Sequence, residues 1–396
     1  EAGRYVVRDP RLLDAPRGPA ALEIEAAFEV EGAPLTLRGP VVHAWVDPVH
    51  GERVRLFQVV PPATVTPLRE AVMIRDGATG QVALRVRAAA AGAIQGQVGL
   101  DLPPGWSAEP ARRTVSLAPG AEETLTFEVR APEGAAGITA RPFVEIAGAR
   151  WSWREDSIEY PHIPAQLVLQ PASLRLQPVE LELPEGIVGY VPGSGDSIPE
   201  DLAHVGVAVE VVDDATLRAG DLERYAAIVV GIRAYNTRPV VRAAHERLMR
   251  WVERGGVVLV QYNTTSPWEP LDTPIGPWPM ELDRLARITD ETAALVPVRA
   301  DHPLLRTPHR LGPADFEGWV QERGLYFAKT WDDRYEPLFS VADPDEPPLR
   351  GGTLVARHGK GRYVYSGLSF FRQLRAGVPG AYRLFLNLIA GNRPDA

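Results

Sequence analysis

The hydrophobic period of this chain changes near residue 180, and no single type of sheet accommodates both halves. Up to about residue 175, short runs alternate apolar and polar residues. Residues 22–30 read Leu-Glu-Ile-Glu-Ala-Ala-Phe-Glu-Val, the pattern of a strand with one wet face. Similar runs follow at 41–46, 54–60, 82–86, 94–100, 114–117 and 124–129. Asp47-Pro48, Asp76-Gly77, Pro103-Pro104-Gly105 and Pro119-Gly120 punctuate them as turns. Short strands broken this often predict antiparallel β-sandwiches. Pro61-Pro62 reads as a joint between two such units.

After residue 185 the apolar runs become nearly continuous, as in strands covered on both faces of a parallel sheet. Residues 186–191, 207–212, 225–230 and 257–260 are runs of this kind. Ser197-Ile-Pro-Glu200 predicts a helix start as a capping box with Pro in its first turn. Residues 240–253 predict an amphipathic helix with Leu248, Trp251 and Val252 on one face, closed by Gly255-Gly256. Further strands are expected at 324–327, 337–341, 353–357 and 362–366, and a last helix at 381–390. Alternating strands and helices predict an α/β, doubly wound, mostly parallel sheet. The expected organisation is a β-rich segment over 1–64, probed as part of a sandwich, an Ig-like sandwich over 65–165, a linker over 166–182 and an α/β domain over 183–396.

The chain has 396 residues and a formal net charge of −9, which disfavours a nucleic-acid partner because a phosphate backbone needs a basic face. Lys329 and Lys360 are the only lysines, and arginine supplies the remaining positive charge. There is no cysteine, hence no thiolate nucleophile, disulfide or Cys-ligated zinc. No apolar run reaches the roughly 18 residues of a membrane helix. The chain opens on EAGRYVVRDP without an initiator Met and reads as a segment of a longer protein.

Ligands of open α/β sheets bind at the carboxyl ends of the strands. Four loops would meet there: 192–196 (Pro-Gly-Ser-Gly-Asp), 231–237 (Gly-Ile-Arg-Ala-Tyr-Asn-Thr), 261–265 (Gln-Tyr-Asn-Thr-Thr) and 366–372 (Ser-Gly-Leu-Ser-Phe-Phe-Arg). Asp196, Arg233, Tyr235, Asn236, Gln261, Asn263 and Arg372 are therefore candidate ligand-binding residues. The opposing expectation is that these groups bond one another to hold the loops. Neither Gln261, Tyr262 nor Asn263 replaces a thiolate, and Ser366-Gly367-Leu368 stands where a cysteine hydrolase would present its His, so no catalytic residue is assigned. The loop at 192–196 lacks the third glycine of a dinucleotide fingerprint and reads as a tight strand-to-helix turn.

His43, Asp47 and His50 suggest a metal site only if a strand runs through Pro48, which proline disfavours. Asp301-His302 and His309 lie in Pro-marked loops without a third ligand nearby, so no metal is expected in this segment. Tyr160-Pro-His-Ile-Pro164 reads as a stiff linker, with His162 at the joint. Aromatic residues crowd 268–335. Trp268 and Trp278 sit in Pro-rich loops and are the candidates for glycan contact, although aromatics more commonly fill cores.

Two resemblances add to this reading. The stretches IVGYVPGSGDSIPEDLAHVG, YAAIVVGIRAYNTR, GGVVLVQYNT, ADFEGWVQERGLYFAKTWD and GRYVYSGLSFFRQLRAGVPGAYRLFLNL resemble the C-terminal region of large bacterial PIG-L (LmbE-like) family deacetylases, over roughly residues 160–392. That region is similar in fold to class I glutamine amidotransferases. LPPGWSAEP and VSLAPGAEETLTFEV resemble the Ig-like domain associated with α-galactosidases. The first resemblance implies a zinc-dependent parent enzyme that removes N-acetyl groups from sugars. Its His-Pro-Asp-Asp signature does not occur in this chain, where Asp301-His302-Pro303-Leu304 is the nearest phrase. Zinc and catalysis are thus expected in an upstream deacetylase domain acting in cis, and the parent family's export implies an extracytoplasmic location. The expected role is a non-catalytic, carbohydrate-associated accessory segment with a pseudo-amidotransferase domain. The alternatives are a cysteine-free hydrolase working through the polar strand ends and a purely structural scaffold.

Overall fold

The computed structural model describes residues 9, 10, 13, 18–160 and 162–391. Strands dominate it. Residues 23–56 form two antiparallel hairpins, Glu23–Val30 with Ala33–Pro40 and Val42–Asp47 with Gly51–Leu56. Each is a two-stranded sheet of its own and adds no strand to the sandwich that follows. The alternation over 22–30 does not produce one dry face here: Ile24, Phe28 and Val30 are all exposed.

The sandwich begins at Ala63. One sheet orders Arg112–Leu117, Ile94–Asp101, Ile138–Ile146, Leu174–Val179 and Ala71–Arg75, with Ala149–Trp151 beside Ile138–Ile146. The other orders Ala63–Pro67, Gly80–Ala88, Glu122–Arg130 and Ser107–Glu109. Inward residues such as Val65, Val72, Val82, Leu84, Val98, Phe127 and Val144 make one core. Pro104-Gly105-Trp106 closes a turn whose tightness needs glycine: Gly105 has φ +88°, and Trp106 packs against that core.

The segment 166–182 is not a bare linker. Ile163–Pro171 pairs with Trp153–Tyr160, with Tyr160 opposite Ile163, so the stretch expected as a stiff linker joins two paired strands; its Pro161 lies outside the described residues. His162 is exposed there, its ring 5.8 Å from that of Tyr160. Leu174–Val179 enters the sandwich, parallel to Ala71–Arg75. Spacing along the chain did not reveal this pairing, because the two strands lie about a hundred residues apart.

A seven-stranded sheet follows, ordered Val209–Val211, Ile187–Val191, Tyr225–Val230, Val257–Gln261, Gly361–Ser366, Thr353–His358 and Glu336–Pro337. Neighbours are parallel through Gly361–Ser366, and the last two strands are antiparallel. Alternate residues enter two different cores. Val188, Tyr190, Val229, Leu259 and Val364 join Phe370 and Phe385 on one side. Val191, Ile228, Val230, Val258, Val260, Tyr363 and Tyr365 join Leu248, Trp251 and Val252 on the other. Burial on both faces is the reason these runs are continuously apolar.

Two details depart from the local reading. Ser197 makes no cap bond to the Ile198–His204 helix; its hydroxyl donates to Asp201 instead (2.8 Å), and the Asp196 carboxylate accepts from the Ile198 N–H (3.1 Å). Residues 324–327 form only isolated bridges, from Gly324 to Ile288 and Leu368, and the strand starts at Ala328.

The sandwich and the large sheet share buried contacts. Met73, Val179 and Leu181 belong to the core that holds Val188, Ile198 and Leu202. Arg69, from the sandwich, pairs with the fully buried Asp201. Arg175 donates to the Ala376 carbonyl. Removing one member of a buried pair leaves the other uncompensated. Arg69→Leu should lower stability by about 2–3 kcal/mol in urea denaturation, the partial exposure of Arg69 trimming the full cost. A loss below about 0.5 kcal/mol would show that water already screens the pair.

Burial sets the acid limb of stability. His204 is pushed down to about 4, by burial first and by Arg69 second, and its Nε2 has no partner. Burial also lowers His245, His302 and His309. The unfolded chain therefore takes protons that the folded chain refuses. Stability is complete above about pH 6.5 and declines as the pH falls toward 4. Burial raises Asp196 and Asp201, and this opposes the decline only near the acid end. The melting temperature should hold from pH 7.5 to about 6.5 and drop from there to pH 5, and His204→Gln should flatten that drop; an unchanged slope would remove His204 from the account.

Candidate functional site

The carboxyl ends of Ile187–Val191, Tyr225–Val230, Val257–Gln261 and Gly361–Ser366 bring the four expected loops to one edge. Backbone interlocks them. Gly193 sits so close to the neighbouring loop that a Cβ would overlap the Ile232 carbonyl oxygen. Ser194 N donates to the same oxygen (2.9 Å). Gly193 of Pro192-Gly-Ser-Gly-Asp196 thus serves loop-to-loop approach, and Gly195 serves a left-handed turn at φ +89°.

Most of the candidate side chains are committed to this frame. Asn263 is fully buried; its Oδ1 accepts from Tyr235 N (3.0 Å) and its Nδ2 donates to the Gln261 carbonyl (3.0 Å). Asn236 exchanges two hydrogen bonds with the backbone of Thr264, both at 2.8 Å. Tyr235 is buried and shares a 3.0 Å hydrogen bond with His245 Nδ1. Gln261 is buried, its Nε2 3.4 Å from the Tyr190 hydroxyl and its Oε1 without a partner. The Tyr190 hydroxyl donates to the Asp196 carboxylate at 2.5–2.6 Å. Burial pushes Asp196 up, while Tyr190 and two backbone N–H groups pull it back. Asp196 also lines a cavity of about 390 Å³ that reaches the sandwich residues Leu68, Arg69 and Val82. It therefore faces the junction with the sandwich as well as the loop edge.

Arg233 and Arg372 stand apart from that frame. Arg233 follows Tyr225–Val230 directly before the turn of helix Ala234–Thr237 and holds φ 56°, in the left-handed region. Its N–H donates to the Tyr262 carbonyl (2.8 Å), and its own carbonyl accepts from Asn236 N and Thr237 N (both 3.0 Å), which fixes the strained conformation. Its Nε–H is buried and meets no acceptor among the described residues. The Tyr262 ring is near-parallel to that of Tyr326 (centroids 5.9 Å, 7°) and 5.9 Å from that of Phe371. The Arg372 guanidinium lies 4.8 Å from the centroid of Phe371, and its Nε donates to Glu322 (3.1 Å). Tyr326 (φ 53°) and Gln321 (φ 69°) are also left-handed. The Tyr365 hydroxyl holds the Tyr326 carbonyl at 2.5 Å, and Gln321 accepts from Arg372. Tyr262, Tyr326, Phe371, Gln321 and Glu322 were missed by sequence reasoning. Tyr262 and Phe371 sit in loops that were expected to meet, but the segment that carries Gln321, Glu322 and Tyr326 follows no strand of the parallel series and gave no local signal of joining them.

The two candidate tryptophans part company. Trp268 is 89% exposed, on the turn closed by Ser266 and Glu269. Trp278 is covered: Tyr335 and His358 meet it edge-on and the Arg334 guanidinium sits 4.2 Å from its centroid. His358 pairs with Gly361, so Trp278 packs at the amino end of Gly361–Ser366, opposite the loop edge. The histidine phrases serve structure. Asp47 closes its turn by accepting from the N–H groups of Val49 and His50 (2.8 Å each). His302 accepts from Leu304 N (3.2 Å), and His309 links Glu182 N to Asn387. Among the described residues no group of three or more His, Asp or Glu is placed to hold a metal. Nor is any helix long and apolar enough to cross a membrane.

Residues 74–141, the middle of the sandwich, match the family model of the NPCBM-associated NEW3 domain of alpha-galactosidase. No curated protein matches the chain. Among solved structures it is similar to the β-galactosidase from Rahnella sp. R3, at 17% identity and TM-score 0.34, over 52% of this chain and 32% of that one. The β-galactosidase from Bacillus circulans sp. alkalophilus follows at 15% identity and TM-score 0.30, over 51% and 31%. The FixG-related protein from Vibrio parahaemolyticus shows 11% identity and TM-score 0.21, over 30% and 98%. The chain thus spans about a third of the β-galactosidases it matches. No functional conclusion follows from likenesses of this size.

Strain at Arg233 is directly testable. Glycine adopts φ near +60° without penalty, so Arg233→Gly should raise stability by about 1 kcal/mol, a gain of about 2–4 °C in melting temperature. Arg233→Ala removes the same side chain but keeps the backbone penalty, so Arg233→Gly should exceed it by that amount. A lower melting temperature for Arg233→Gly would mean that the side chain, and not the backbone, dominates there.

Proposed function

We propose that this chain is a non-catalytic, carbohydrate-associated accessory segment, with a NEW3-type sandwich fixed to a sheet whose loop edge takes a ligand. The match over residues 74–141 carries this reading. The chemistry of the edge supports it. Asn236, Asn263 and Tyr235 spend their polar groups on neighbouring loops and on His245, and the chain has no cysteine to act as nucleophile. These same commitments weigh against a cysteine-free hydrolase, which would need Tyr235 and Asn263 free to meet substrate. The parallel strands and the phrases resembling PIG-L deacetylases support a finer proposal. In it, the segment with the large sheet is an amidotransferase-like domain without its nucleophile. An upstream zinc-dependent N-acetylsugar deacetylase domain acts in cis, outside the cytoplasm.

The test pairs activity with binding. The isolated chain should show no deacetylation of N-acetylglucosamine oligomers, with or without added zinc, no hydrolysis of glutamine and no release of galactose. It should bind at least one glycan on an array. Metal-dependent turnover by the chain alone would overturn the accessory role. A folded sample that binds no glycan would leave the scaffold reading in its place.

A further inference from the structure

The loop edge contains two groups that the frame leaves unanswered, Gln261 Oε1 and Arg233 Nε, and of the two only the arginine is charged. Arg233 carries a full charge on a guanidinium whose Nε–H is buried and finds no acceptor among the described residues. A buried donor without a partner costs about 1–3 kcal/mol, more when it is charged. A second cost accompanies it, because Arg233, Gln321 and Tyr326 all hold left-handed backbone around the same spot. Strain of this kind concentrates where a site is pre-organised for a ligand.

The Arg233 side chain as a whole is only half-buried, and the surroundings specify what would meet its accessible part. Arg233 N donates to the Tyr262 carbonyl (2.8 Å), and burial raises the Tyr262 hydroxyl while Arg233 and Arg372 pull it back. Glu322 is already shared: it accepts from Arg372 (3.1 Å) and from Arg287 (3.2 Å). Glu322 thus already answers two guanidinium groups, those of Arg372 and Arg287. Tyr262, whose carbonyl accepts from Arg233 N, carries its ring against those of Tyr326 and Phe371, and Arg372 lies over Phe371. A guanidinium fork matches a carboxylate in a bidentate manner, and aromatic rings cover the C–H face of a sugar.

We infer that this edge is a binding site for a carboxylate-bearing sugar, with Arg233 receiving the carboxylate and Tyr262, Tyr326 and Phe371 forming the surface against the ring. This deepens the carbohydrate-associated reading and rests on it. Arg372 supports the site from its pair with Glu322, and Asp196, bonded to Tyr190, stays out of the carboxylate's way.

The full chain is titrated calorimetrically with D-galacturonate, D-glucuronate, D-galactose, D-glucose and acetate. The uronates should bind at least tenfold more tightly than the matched neutral sugars and than acetate. Arg233→Gly should weaken uronate binding at least tenfold while its melting temperature holds or rises, which separates lost binding from lost fold. Arg233→Lys, which keeps the charge but not the fork, should fall between. Tyr326→Ala should weaken both uronates together. Equal affinity for acetate would reduce the site to an anion hole and overturn the sugar assignment. Tight binding of neutral sugars, unaffected by Arg233→Gly, would overturn the inference and leave the carbohydrate-associated role intact. Binding of no sugar by a folded sample would overturn both.

Discussion

Burial of the large sheet on both faces governs what its strand ends can do. Val257–Gln261 is buried along its whole length, and Asn263 follows it into the interior. Polar groups carried to such a depth must find partners within the protein. Asn263 reaches Tyr235 and Gln261, Asn236 reaches Thr264, and Tyr190 reaches Asp196. The loops are locked together as a result. A rigid edge then tolerates left-handed backbone at Arg233 and Tyr326, which a loose loop would relax away.

The same principle joins the two parts of the chain. Asp201 is buried on the Ile198–His204 helix, and Arg69 comes from the sandwich to pair with it. Met73 and Val179 continue the apolar contact into the core beneath the large sheet. The sandwich strand Leu174–Val179 leads through Leu181 into Ile187–Val191 with few residues to spare. A carbohydrate-associated sandwich fixed in this way would hold the loop edge at a set position relative to whatever the sandwich contacts.

Much of the secondary structure was legible in the sequence, since it rests on local pattern. The apolar runs at 225–230 and 257–260, the helix face of Leu248, Trp251 and Val252, and the turn at Pro104-Gly105-Trp106 all stand where the residues indicated. The hairpins at Ala33–Pro40 and Trp153–Tyr160, and the sandwich strand Leu174–Val179, were not legible. Their residues carry mixed polarity, and pairing with distant partners decides their state. The supposed linker over 160–164 illustrates the ambiguity. Two prolines mark a stiff connection and a link between paired strands equally well.

For the site, the sequence by itself determined the inventory: no cysteine, amide and guanidinium groups at four strand ends, and two tryptophans in Pro-rich loops. Only the tertiary structure decided which of these groups are spent and which remain. It consumed the asparagines in holding loops, sent Trp278 to the opposite end of the sheet, and set Arg233 beside Tyr262, whose ring meets those of Tyr326 and Phe371. The physical reason is that side-chain availability is a property of neighbours. A hydrogen bond between Asn236 and Thr264, or an unanswered Nε–H on Arg233, exists only once residues far apart in the chain have been folded to within reach of one another.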